Sequence, residues 1–74
     1  MKTNPTYLVI LEKGNDSYGA YVPDLPGCIA VGETKTETLK LIREAIRFHL
    51  EELRDDGVQT PRPRFSSQSV KVPA

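Results

Sequence analysis

Apolar positions along the chain come first in a short continuous run, Tyr7-Leu8-Val9-Ile10-Leu11, which stops at the turn-forming stretch Lys13-Gly14-Asn15-Asp16-Ser17. An aromatic and β-branched run bounded by turn residues predicts a strand, here over about 6–13. The chain resumes at Tyr18-Gly19-Ala20-Tyr21-Val22, which predicts the return arm of a hairpin over about 17–23. In Pro23-Asp24-Leu25-Pro26-Gly27, the Pro-Gly pair suits the two central positions of a type II turn. Cys28-Ile29-Ala30-Val31 then reads as a third strand, closed by Gly32. Short connections between consecutive strands imply an antiparallel meander.

The pattern then changes period. Thr34 and Glu37 have the spacing of a capping box, in which each side chain satisfies a free backbone N–H at a helix start. At helical pitch, Leu39, Leu41, Ile42, Ala45, Ile46, His49, Leu50 and Leu53 fall on one half of a cylinder. Lys40, Arg43, Glu44, Arg47, Glu51, Arg54 and Asp55 take the other half. This predicts an amphipathic helix over about 35–56, ended by Asp56-Gly57 with the glycine placed for a left-handed cap. Thr60-Pro61-Arg62-Pro63 is expected to be extended, because proline biases its predecessor away from helix. Val70 and Val72 alternate with Ser69 and Lys71, and 67–72 is expected as a fourth, edge strand.

The expected fold is therefore α+β in the order β-β-β-α-β, an antiparallel sheet with one helix on one face, in a single domain over 1–74. A sheet with one wet face should alternate apolar and polar positions. The first strand does not. Either it packs against a second subunit, which makes Tyr7, Val9 and Leu11 candidates for an oligomer interface, or the open face meets a different protein.

Size sharpens this expectation. A chain of 74 residues buries a modest fraction of its surface, and small domains commonly add disulfides, a metal or oligomerisation. With Cys28 as the single cysteine and His49 as the single histidine, neither an internal disulfide nor a four-ligand zinc site can be built. Association with another chain remains, as a homo-oligomer (dimer or tetramer) or with a different partner. Ten basic residues balance ten acidic ones, so the footprint of a domain that grips nucleic acid by itself is missing. The first apolar run is too short for a membrane span or a signal segment. A free cysteine suits a reducing compartment, and the expected location is cytoplasmic.

The stretch Gly19-Ala20-Tyr21-Val22-Pro23-Asp24-Leu25-Pro26-Gly27-Cys28, followed by Gly32-Glu33-Thr34 and by Ala45-Ile46 and His49-Leu50 within the helix, resembles the HicB-like antitoxin family. The resemblance covers about residues 6–72. It implies a partial RNase H-like fold without nuclease chemistry, acting in a bacterial type II toxin–antitoxin system. The implied partner is a small HicA-type RNase, neutralised by occlusion. Many members also carry a C-terminal DNA-binding domain that represses their operon. After Val72 only Pro73 and Ala74 follow, so such a domain is not expected here, nor is operon repression by this chain. The alternative is a solitary HicB-like oligomeric scaffold or regulatory subunit that works without a toxin.

Individual residues point to binding rather than catalysis. His49 lies on the apolar helical face without a second histidine, which suits a packed side chain better than a ligand. Cys28 enters a strand and suits a small buried hydrophobe, since an activated thiol needs a neighbouring cation or helix start. Asp16 and Asp24 occupy turn positions, whereas metal-dependent phosphoryl transfer needs carboxylates converging from several elements. No catalytic residue, metal or cofactor is expected. Pro23, Asp24, Leu25, Pro26 and Gly27 form a fixed loop that serves either as a connector or as a partner contact, because rigid loops lose little entropy on binding. Arg62 and Arg64 are expected to keep the proline-spaced tail soluble.

Overall fold

The computed structural model describes residues 5–73, and the order is β1 (Ile10–Lys13), β2 (Tyr18–Tyr21), β3 (Ile29–Gly32) and α1 (Lys35–Asp55). The strands form one antiparallel sheet in sequence order, with Leu11 opposite Ala20 and Ala20 opposite Ala30. The meander and the α+β class are as the sequence predicts. Helix α1 lies across β2 and β3 on one face of this sheet.

Side-chain alternation sorts the sheet into two faces. Leu11, Ala20 and Ala30 share the inner face with Val22 and Cys28, and meet Leu25 and Ile42. Ala20, Val22, Leu25, Cys28 and Ile42 are the buried core, and Tyr7, Val9, Ala45, Ile46 and Leu50 pack around it. The outer face carries Ile10, Tyr21, Ile29 and Val31. Of these, Tyr21, Ile29 and Val31 are exposed, while Ile10 is half-buried.

Both ends of α1 are closed by local chemistry. The Thr34 side chain accepts the backbone N–H of Glu37 at 3.1 Å, the N-cap half of the expected box. At the other end Gly57 takes φ 72°, the N–H of Val58 reaches the carbonyl of Leu53, and that of Gly57 reaches Arg54. These two bonds form a Schellman cap, which needs a left-handed residue where glycine stands.

Three expectations are corrected. Pairing in β1 begins at Ile10 rather than near residue 6, because β2 ends at Tyr21 and leaves no strand opposite residues 6–9. The fourth strand over 67–72 does not form within the chain: the segment is irregular and exposed throughout. Alternation supplies a strand's side-chain pattern but not the partner edge it must bond to. On α1, Thr38 is fully buried while Leu39, assigned to the apolar face, is 38% exposed. Thr38 lies only about 40° from Ile42 around the helix, at the middle of the buried stripe, where a small side chain permits close approach to the sheet.

Candidate functional site

The loop between β2 and β3 is the most constrained segment outside the regular elements. Leu25 donates its N–H to the carbonyl of Val22 at 3.0 Å, and Cys28 donates to that of Leu25 at 3.0 Å. The second bond closes the turn carrying Pro26 and Gly27, and Gly27 has φ 87°, the left-handed value required at the third position of a type II turn. The N–H of Val22 also reaches the carbonyl of Cys28. Two turns in succession thereby fold Leu25 back beneath the sheet.

The structure divides the candidate loop residues. Leu25 is fully buried in the core, and Asp24 is 7% exposed. Pro23 is half-buried, leaving Pro26 and Gly27 as the exposed tip. The sequence located this loop but not its two sides.

Asp24 has a role that the sequence reading missed. Its two carboxylate oxygens accept the backbone N–H groups of Arg64 and Phe65, at 3.0 and 3.4 Å. A buried carboxylate is tolerable only with such donors. Nearby, the Tyr7 hydroxyl donates to the carbonyl of Pro61. The proline-spaced segment after α1 is thus fastened to the loop at one point and to the approach to β1 at another. Between them lies a shallow groove of about 310 Å3 lined by Pro23, Pro26, Pro61, Arg62 and Phe65 around Asp24. The Arg64 guanidinium stands 5.4 Å from the Phe65 ring centroid, within cation–π range.

Titration in this region follows from burial. The Tyr7 phenol is pushed above its ordinary value first by burial and then by the negative charge of Asp24. The Cys28 thiol is pushed up by burial alone, which favours the neutral, unreactive form. His49 is half-buried on α1. Among the described residues, no three or more His, Cys, Asp and Glu side chains group as metal ligands would. No helix among them is long and apolar enough to cross a membrane.

Tyr7, Val9 and Leu11, the candidates for an oligomer interface, pack against the chain's own core. The apolar surplus that suggested an interface lies on the opposite face. There Tyr21 is 48% exposed, Ile29 67% and Val31 64%.

The model of the HicB_like antitoxin of bacterial toxin–antitoxin systems matches residues 7–74. The chain belongs to this family. In structure it is similar to the N-terminal domain of the antitoxin HicB from Burkholderia pseudomallei, with a TM-score of 0.65 and 34% identity, covering 82% of this chain and 69% of that one. A UPF0150 protein of Thermoplasma acidophilum is 46% identical over 65 residues, covering 86% of this chain and 94% of its own length. An uncharacterized 14.9 kDa protein of Haemophilus phage HP1 is 37% identical over 67 residues. This chain spans 90% of its own length in that match but only 50% of the phage protein. The family identity expected from the motif around Pro23 to Gly27 is thereby established.

Proposed function

We propose that this HicB-like antitoxin binds a small HicA-type RNase and silences it by occlusion. The observation that carries the reading is the match, in both fold and sequence, to the N-terminal domain of an antitoxin HicB. Inhibition of this kind requires no chemistry from the antitoxin. A rigid surface laid over the RNA-binding side of the toxin is sufficient, and family membership supports a binding role rather than a catalytic one. The exposed tip at Pro26 and Gly27 is the proposed contact, because its two turns fix its backbone before any partner arrives. Such an interaction belongs in the cytoplasm, where the toxin meets its RNA.

The exposed outer face of the sheet favours a second element, self-association into a dimer or tetramer. It would serve equally well in a solitary HicB-like scaffold without a toxin. If a small basic protein of HicA type is encoded beside this chain, the deciding experiment expresses it alone and together with the chain, and scores growth and RNA cleavage. Growth arrest relieved by co-expression is the expected result. Persistent toxicity with both proteins soluble and abundant would leave the solitary scaffold as the better account.

A further inference from the structure

The two edges of the sheet differ in their protection. β1 carries Glu12 and Lys13, both exposed, and charged side chains on an edge discourage pairing with another chain. β3, Ile29–Gly32, is the other edge, and its sequence Ile-Ala-Val-Gly holds no charge and no proline. Its two largest side chains, Ile29 and Val31, are 67% and 64% exposed on the outer face. No described residue pairs with its free side.

The same chain carries a segment with a complementary pattern. Val70 and Val72 alternate with Ser69 and Lys71, and the two valines are 74% and 72% exposed. Every residue from 66 to 73 is exposed. The molecule measures 48 × 29 × 23 Å, with a radius of gyration of 14.3 Å, where a compact chain of this length has about 11 Å. The segment is held at Arg64 and Phe65 by Asp24, and beyond that anchor it is exposed and does not pair with its own β3.

We infer that residues 67–72 of one copy add as a fourth strand to the open β3 edge of a second copy, and that two chains exchange these segments reciprocally. Addition pairs backbone groups that are otherwise unmatched on both elements. It sets Val70 and Val72 on the outer face beside Ile29 and Val31, as cross-strand neighbours. Lys71 then projects to the other face. There Glu37, exposed in the first turn of α1, supplies the opposite charge. A two-fold arrangement uses both tails and both edges and leaves neither open. The inference rests on the self-association proposed above and specifies its mode; it is independent of any toxin.

The test uses the full chain. Light scattering at micromolar concentration gives the mass of the wild type and of a Val70→Lys/Val72→Lys variant. Both positions are exposed, so the variant's circular dichroism and melting reveal whether its monomer fold is intact. In parallel, a Cys28→Ala background carries Val31→Cys in one copy and Val70→Cys in another copy of different tag length, and the mixture is oxidised. The expected results are a wild-type dimer, weakening of that dimer by about tenfold or more in the double-lysine variant, and a disulfide joining the two tag lengths. A dimer indifferent to the lysines, or one lacking the mixed disulfide, overturns strand exchange while leaving self-association standing. A well-folded wild-type monomer overturns both.

Discussion

Asp24 and Arg64, 40 residues apart in sequence, are joined directly by a hydrogen bond of 3.0 Å from the Arg64 backbone N–H to the Asp24 carboxylate. With the second bond from Phe65, this contact ties the segment after α1 to the loop between β2 and β3. Asp24→Ala removes both acceptors and is expected to cost about 1.5–3 kcal/mol, the usual range for bonds to a charged group. Asp24→Asn keeps one carbonyl oxygen and should lose less. Urea denaturation gives the energies. Amide exchange provides the local check: Arg64 and Phe65 should lose protection while the amides of α1 keep theirs.

Gly32 and Thr38 impose a second constraint. A Cβ placed on Gly32 would lie 2.6 Å from the Thr38 hydroxyl and 3.0 Å from its backbone nitrogen. The hydroxyl cannot swing aside freely, because it donates to the carbonyl of Thr34 at 2.7 Å. Gly32→Ala therefore must push α1 away from β3, and overpacking of this kind costs about 1–3 kcal/mol. The double variant with Thr38→Ala should recover part of the loss, because it removes the nearer clash and leaves the backbone one. Thermal melts of the two single variants and the double would show that coupling.

Local chemistry explains which parts of this architecture were legible in the sequence. The cap at Thr34, the left-handed Gly57 and the turn at Pro26-Gly27 each depend on residues within a few positions of one another, and all three were readable. The tether at Asp24 was not, because its donors are backbone N–H groups, which every non-proline residue carries. Thr38 was hidden by its polarity, although its angular position lay inside the apolar stripe. For the candidate loop, the segment itself was legible, and only the structure separates buried Leu25 from exposed Pro26. Residues 67–72 show the remaining limit: alternation is written in the segment itself, but pairing depends on an edge elsewhere.

Stability should decline in alkaline solution. Burial raises the Cys28 thiol above its ordinary value of 9.0, and burial with the Asp24 charge raises the Tyr7 phenol above 10.0. Below these ordinary values both groups are protonated in the folded and the unfolded chain alike, and their contribution is fully present. Above them the unfolded chain releases its protons first, so stability is lost as pH rises through the folded pKa values. Urea midpoints are expected to hold level from neutral pH and fall beyond the ordinary thiol value. Cys28→Ala should remove the first part of the decline, and Tyr7→Phe the later part. A midpoint still level well above the ordinary phenol value would contradict the assignment.

The loop carrying Pro23 to Gly27 offers a separation of stability from binding within two neighbouring residues. Leu25 is fully buried, so Leu25→Ala leaves a cavity among Val22, Cys28 and Ile42 and is expected to cost about 2–5 kcal/mol. Pro26 is exposed at the tip, and an arginine there should leave the urea midpoint nearly unchanged, as surface substitutions usually do. If the tip meets the toxin, that same Pro26→Arg variant should weaken the complex by about tenfold or more, since a bulky charge at a fixed contact adds both steric conflict and desolvation. Calorimetric titration against the purified toxin, paired with urea denaturation of each variant alone, reads both effects. Unchanged affinity in a stably folded Pro26→Arg protein would move the contact away from the tip, and the outer face bearing Tyr21, Ile29 and Val31 would become the surface to test next.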